Sequence, residues 1–113
     1  MPIHGQLRGL AISQVVPYPW APIDPTAVQY RKLMEKANVP VGYYSYEGFL
    51  NAQVMLQALE RAGRDLTRAR LHTALQSLRM PLAGLNLDFS NGVHTGSRFV
   101  ELVQVTHGGR FLR

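Results

Sequence analysis

Four prolines fall within residues 17–25 of this 113-residue chain. Each proline fixes φ and lacks an amide donor, so the segment cannot lie inside a helix or a central strand. It predicts a stiff, extended connector. Asp24 followed by Pro25 is typical of a helix start, with an aspartate cap and a proline at the first helical position, and predicts a helix to about Ala37. The side chains predicted to be buried on this helix are Val28, Tyr30, Leu33 and Met34.

The segments on either side of this connector and helix have different patterns. Residues 7–16 are mostly apolar and rich in β-branched side chains, which predicts a strand buried on both faces. A short strand over residues 39–43 is expected to lead into a helix that Ser45 caps and Gly63 ends. Its apolar residues recur at helical spacing, and on that basis Leu56→Ala is expected to destabilise by about 2 to 5 kcal/mol. The predicted buried stripe is Phe49, Ala52, Leu56 and Leu59.

The C-terminal half changes from helical to strand periodicity. Thr67 is predicted to cap a helix to about Leu78, and Pro81 is predicted to end that segment. From residue 82 onward apolar and polar residues alternate around a turn at residues 90–92, and residues 99–105 read as a further strand. A hairpin turn at 107–110 is then expected to lead to a short return strand. The order predicts an α/β fold with three helices, four to five strands and a C-terminal antiparallel hairpin.

Composition limits the classes of protein to consider. The mass of 12.6 kDa suits one domain, hydrophobic residues make up 46% and cysteine is absent, which excludes a disordered chain, a disulfide scaffold and a cysteine nucleophile. No run approaches the roughly 18 apolar residues of a transmembrane helix, and the N-terminus lacks the pattern of a signal peptide. If the chain is a complete gene product, the expected location is therefore cytoplasmic.

The net charge of +5 raises nucleic-acid binding as one hypothesis. Five arginines lie within residues 61–79, but acidic residues are interspersed among them and no aromatic residue is available there to stack on bases. This pattern favours a solvated helical face, and no nucleic-acid partner is expected.

Few residues suggest a catalytic, metal-binding or ligand-binding role. The four histidines have no metal-ligand spacing and no nucleophile motif is present, so we expect neither an enzyme nor a metal or cofactor.

The richest aromatic patch lies at the start of the long predicted helix, where backbone amides and the helix dipole favour a carboxylate, and Tyr18 and Trp20 add two rings on the connector. The alternative is that the tyrosines simply pack there and that Glu47 is a first-turn helix charge. The candidate binding residues are Tyr18, Tyr43, Tyr44, Tyr46 and Glu47.

Four segments resemble one family in order and with similar spacing. Residues 45–63 are similar to the S-x-E-G-[YF]-x-A-x-x-[LM]-x-x-A-L-x-R-A-G helix of the type I periplasmic substrate-binding proteins of ABC transporters, the branched-chain amino acid receptor family. Residues 9–17 resemble its late strand and V-V-P-x-P crossover, residues 65–75 its D-L-T-R-x-x-L-x-x-A-L helix, and residues 87–102 its closing F-S-x-G-x-H-x-G-S-x-[FY]-V-x-L segment. The resemblance covers the C-terminal third of a family member.

The resemblance implies a partial type I fold, in which the chain is one fragment-like α/β domain. Residues 1–16 and 95–113 would supply strands of the second lobe, and residues 18–93 would supply helices and strands of the first. It also implies a non-catalytic receptor that binds an amino acid or related small carboxylate between two lobes and delivers it to an ABC permease, in the periplasm. The aromatic side chain that packs on the ligand would be Tyr43 or Tyr44, with Tyr46 and Glu47 beside it.

A different hypothesis stays open beside the receptor. The same segment could form a small homodimeric α/β interaction domain without ligand binding, because sheets that lack their neighbours leave apolar faces and edges uncovered. Both hypotheses predict that the 113-residue chain forms a homo-oligomer.

Overall fold

The computed structural model describes residues 8–92, 94–106 and 110–112. The chain divides into two compact units, Met1–Pro17 with Phe99–Arg113 and Tyr18–Arg98. Three helices and five strands lie within these described residues, and the α/β class is confirmed. In chain order the elements are β1 (Ala11–Gln14), α1 (Pro25–Ala37), α2 (Tyr43–Ala62), α3 (Arg68–Gln76), β2 (Arg79–Leu82), β3 (Leu85–Asp88), β4 (Glu101–Val105) and β5 (Phe111–Leu112).

The first unit contains a three-stranded antiparallel sheet in the order β1-β4-β5. Its buried face includes Val103 and Val105, which are 1% and 5% exposed. The predicted C-terminal hairpin is confirmed by the pairing of β4 with β5, whereas residues 107–109 of its predicted turn lie outside the described residues. Gly9, at φ +88°, donates to the Val105 carbonyl, and Val105 donates to Leu10. This pattern is a β-bulge that requires the left-handed conformation glycine favours.

The strand expected over residues 7–16 is shorter than predicted, and its burial on both faces is wrong. Ala11 and Ser13 are exposed, while Ile12 and Gln14 are half-buried. The reason is the antiparallel pairing, which places successive side chains on opposite faces, only one of which is covered in this unit.

Helix α1 begins and ends where the sequence predicts. The Asp24 carboxylate accepts a hydrogen bond from the Thr26 amide at 3.0 Å, and Pro25 occupies the first turn. Its buried residues are Ala27 and Tyr30, whereas Leu33 is 47% exposed, so the predicted inward position of Leu33 is wrong. The chain leaves the helix through Asn38 in the left-handed conformation at φ 57°.

Helix α2 starts two residues earlier than the predicted cap at Ser45. Gly42 is the N-cap residue and no side chain caps the amides, while the predicted end at Gly63 is confirmed. The segment before it, residues 39–42, contains no strand, so the expected short strand is wrong.

The buried face of α2 also differs from the prediction. Leu56 is 55% exposed and Ala52 is exposed, and the large cost expected for Leu56→Ala therefore does not apply. The helix has apolar residues on two faces, and hydrophobic spacing alone does not choose between them. Its buried residues are Tyr43, Tyr46, Phe49, Leu50 and Ala58.

Helix α3 packs against α2 and leads into a two-stranded hairpin. The Thr67 side chain accepts from the Arg70 amide at 3.1 Å, which confirms the predicted cap. Pro81 does not simply end the helical segment, because it lies within β2 and pairs with Asn86 of β3. A two-stranded ribbon consists only of edge strands, so a residue without an amide donor is tolerated there.

The arginines predicted to lie on a solvated face are exposed. Arg70 lies 3.8 Å from Asp65, and Arg79 lies 3.6 Å from Asp88 across the hairpin. Arg61 also donates to the carbonyls of Ser77 and Arg79, which ties α2 to the start of β2. No helix in the described part of the chain combines the length and apolar character needed to cross a membrane.

Candidate functional site

An aromatic cluster joins α1 to the first two turns of α2. The ring centroids of Tyr30 and Tyr46 are 4.6 Å apart, and those of Tyr30 and Phe49 are 5.6 Å apart. Tyr30 and Tyr46 are fully buried, so the cluster forms the core between the two helices. Aromatic pairs at these separations stabilise beyond the area that they bury.

The hydroxyl of Tyr30 positions the start of α2. It accepts a hydrogen bond from the Gly42 amide at 3.0 Å, and it also lies 3.0 Å from the Gly42 carbonyl oxygen and 2.5 Å from Ser45 Oγ. Ser45, predicted as the helix cap, is therefore part of this hydrogen-bond network instead. Because these bonds span 12 to 15 residues of sequence, they fix where α2 begins relative to α1.

The proline-rich connector contributes a second row of rings. Trp20 lies between Tyr18 and Tyr43, with centroid separations of 5.3 and 5.9 Å. The Arg31 guanidinium donates to the carbonyls of Pro19 and Ala21 at 2.9 and 2.8 Å, which fastens the connector to α1. The Trp20 indole and the Tyr18 phenol ring are thus held at the beginning of α2.

The five predicted site residues fall into three environments. Tyr18 and Tyr43 both pack against Trp20, and Tyr46 lies in the buried cluster. The Tyr44 side chain is 92% exposed. Glu47 is exposed and lies beyond the first turn, which contains no acidic residue, so the alternative that it is a first-turn charge is wrong.

Sequence reasoning did not assign roles to Tyr30 and Arg31. Tyr30 was expected only as a core residue of α1, yet its hydroxyl sets the start of α2. Arg31 carried no signal, because an arginine on a helix ordinarily faces solvent.

The arrangement favours an anion with an apolar body. The first turn of α2, at the positive end of the helix dipole, contains no acidic residue, and the rings of Trp20 and Tyr43 lie against each other there. The described residues include no group of three or more histidine, aspartate or glutamate side chains arranged to hold a metal ion.

Burial changes the acidity of one cluster residue. Desolvation, with a smaller contribution from the charge of Asp24, raises the pKa of Tyr46 from 10.0 to about 12. Its hydroxyl is buried and has no hydrogen-bond partner among the described residues. The phenol is therefore held in its neutral form, since ionising it would place a charge in the core.

We expect this raised pKa to make the fold sensitive to alkali. In the unfolded chain Tyr46 loses its proton near pH 10, whereas the folded chain holds it to about pH 12. Between these values the folded state binds more protons, so the free energy of unfolding should fall by about 1.4 kcal/mol per pH unit from this group. Its contribution is intact below pH 10. Urea unfolding at pH 8, 10 and 11 measures the slope, which Tyr46→Phe should reduce. An identical slope in both proteins would contradict the assignment.

Comparison with known proteins shows the family of this chain. The family model described as periplasmic binding protein matches residues 4–110. A substrate-binding periplasmic protein from Ralstonia solanacearum superposes with a TM-score of 0.82 at 25% identity, covering 96% of this chain and 32% of its own. A comparison with curated proteins finds no match.

Two further solved structures share the fold. An extracellular ligand-binding receptor from Verminephrobacter eiseniae has a TM-score of 0.82 at 24% identity, covering 97% of this chain and 32% of its own. A possible leucine/isoleucine/valine-binding protein from Rhodopirellula baltica has a TM-score of 0.83 at 21% identity, covering 95% and 30%. The chain thus spans about a third of the length of these structures.

Together, the α/β elements and their antiparallel pairing define a partial periplasmic-binding-protein fold. The chain belongs to the periplasmic binding protein family, as the order and spacing of its motifs predicted.

Proposed function

We propose that this chain is part of a two-lobed solute-binding receptor of the branched-chain amino acid receptor type, whose ligand is an amino acid or a related small carboxylate. The observation that carries the proposal is the start of α2, where a helix N-terminus with no acidic residue in its first turn lies beside the rings of Trp20 and Tyr43 and the exposed Tyr44. Such a surface suits a molecule with a carboxylate at one end and an apolar side chain at the other.

The proposed mechanism is binding without catalysis. The dipole at the helix terminus would favour the carboxylate, and the exposed Tyr44 ring would pack on the apolar part of the ligand. The remaining contacts would come from the part of a receptor that this chain does not span, and closure of two lobes would enclose the ligand.

The lobes, partners and location are part of the same proposal. Residues 1–16 and 95–113 would belong to the second lobe and residues 18–93 to the first, and the complete receptor would deliver its ligand to an ABC permease from the periplasm. Family membership and the names of the structural neighbours support this proposal.

A second candidate function rests on a different observation. In the first unit, four apolar side chains are each more than half exposed: Val15, Val100, Leu102 and Leu112. An apolar surface of this kind supports the alternative that the 113-residue chain is a homodimeric interaction domain that binds no ligand.

We expect the isolated chain to bind amino acids no more tightly than about millimolar, because affinity depends on enclosing the ligand and this chain supplies a minority of the walls. Calorimetric titration with leucine, phenylalanine and benzoate measures this. Micromolar binding by the 113 residues alone would contradict the requirement for further walls.

In a complete receptor that contains this sequence, Tyr44→Ala is expected to weaken binding by about 1 to 3 kcal/mol through lost aromatic packing. Met55→Ala is the matched control, because Met55 is also an exposed apolar residue of α2 but lies three turns further along the helix. Equal affinities for the wild type and Tyr44→Ala would remove Tyr44 from the site.

A further inference from the structure

A second apolar site lies away from the start of α2. One side of α3 and the segment after β3 line an open pocket of about 280 Å³. None of the aromatic side chains of the proposed receptor site contributes to it. The described residues that line the pocket are His72, Leu75, Gln76, Phe89 and His94.

The wall formed by Phe89 is held in place from two directions. The Phe89 amide donates to the Leu78 carbonyl at 2.9 Å, which fastens it to the segment between α3 and β2. The neighbouring Asp88 amide donates to the Gly96 carbonyl at 3.0 Å. These bonds hold the pocket wall to elements of the fold on both sides.

Gly96 makes room for the Phe89 ring. A Cβ atom at Gly96 would lie 2.2 Å from Phe89 Cζ and 2.5 Å from Cε2, closer than any real contact. The ring therefore lies directly against the Gly96 backbone, and only glycine permits this position. The pocket depends on this packing, which gives Gly96 a role beyond that of a turn residue.

The chemistry of the walls restricts what the pocket can bind. Leucine, phenylalanine and the carbon faces of two imidazoles make it apolar, and its polar groups are the two imidazoles and one amide. The described lining includes no lysine, arginine, aspartate or glutamate. A charged ligand would lose its hydration there without gaining an opposite fixed charge, so a neutral ligand is favoured.

The size of the pocket sets the size of the ligand. A cavity of about 150 Å³ lined by apolar side chains accommodates benzene. The present pocket, at about 280 Å³, has room for one aromatic ring and a short substituent. Imidazole and amide groups can hydrogen-bond with a hydroxyl or carbonyl on that substituent.

We propose that this pocket is a binding site for a small neutral aromatic molecule with one hydrogen-bonding group, separate from the receptor site at the start of α2. Leu75 and Phe89 would contact the ring, and the small polar part of the pocket surface, to which His72, Gln76 and His94 can contribute, would meet the hydrogen-bonding group. All of the described lining residues belong to the unit Tyr18–Arg98.

Titration of the 113-residue chain with benzyl alcohol, followed by NMR of the aromatic ring protons and leucine methyl groups, tests the proposal. We expect saturable shifts at His72, His94 and Leu75. Leu75→Trp, which fills the pocket, should abolish them, and His94→Ala should weaken binding by about threefold to tenfold. Thr73→Ala is the matched control, because Thr73 is the neighbour of His72 on α3 but lines a different surface depression.

Each outcome decides for or against the site. Shifts that grow linearly without saturation, or that persist unchanged in Leu75→Trp, would overturn the proposal. So would saturable shifts confined to Trp20 and Tyr43, because the probe would then occupy the receptor site. Because the readout is binding of a neutral probe by the isolated chain, failure of amino acid binding at the receptor site would leave this result unaffected. Gly96→Ala adds a second variant, which should displace the Phe89 ring and weaken binding while the circular dichroism spectrum remains that of the wild type.

Discussion

Replacing Tyr30 with alanine should strongly destabilise the protein, with an expected loss of about 3 to 5 kcal/mol in the free energy of unfolding. Tyr30 is fully buried and its ring packs on both Tyr46 and Phe49. Its removal would leave a cavity and take away the partner of Gly42. Since small domains are stable by only about 5 to 15 kcal/mol, this is a large share of the total.

A more conservative change separates the ring from the hydroxyl. Tyr30→Phe keeps the packing but removes the bonds to Gly42 and Ser45, and should cost about 1 to 3 kcal/mol. Tyr44→Ala is the control for a tyrosine on the surface, with an expected change within about 0.5 kcal/mol. Urea unfolding followed by circular dichroism measures all three. If Tyr30→Phe is as stable as the wild type, the hydroxyl does not anchor α2.

Helix boundaries governed by local chemistry could be predicted from the sequence. Asp24 with Pro25, Thr67 and Gly63 each act on backbone groups within a few residues of themselves, so their effect can be inferred without the tertiary fold. The alternation of Leu85 and Leu87 likewise marked β3 correctly.

The β2–β3 hairpin could not be predicted in the same way. Its turn residues Ala83 and Gly84 both have positive φ, 54° and 81°, a conformation usually marked by Asn-Gly or Asp-Gly. Alanine rarely adopts it, and Pro81 argued against a strand. Pairing of β2 with β3 stabilises both the positive φ of Ala83 and the strand position of Pro81. This pairing is not visible in the local sequence.

In the candidate site, too, some features follow from local sequence and others depend on the tertiary fold. The aromatic residues around residue 44 could be recognised from composition, but which of them are buried depends on α1. Tyr46 is in the core because Tyr30 lies against it. Tyr44 is exposed because it lies on a different side of the helix. The bond from Gly42 to Tyr30 joins residues 12 apart, and no motif predicts such a contact.

We expect the 113-residue chain to be a dimer or higher oligomer at concentrations of tens of micromolar. In the first unit, the register places Leu102 opposite Ser13 and Leu112 opposite Gln104, so both leucines lie on one face of the sheet. They are 68% and 59% exposed, and Val100 is 62% exposed two residues before Leu102. Monomers rarely expose contiguous apolar patches larger than a few hundred Å².

Polar substitution on this face should shift the chain toward the monomer. Leu102→Gln with Leu112→Gln removes two exposed leucines without changing the opposite face, where Val103 and Val105 are buried. Leu33→Gln is the matched control, because Leu33 is 47% exposed but lies on α1 in the other unit. Light scattering across a range of concentrations measures the mass of each. Self-association by the wild type and Leu33→Gln, but not by the double variant, is the expected result. A wild-type mass equal to the monomer at every concentration would contradict it, because the exposed leucines would then be stable in water without a partner.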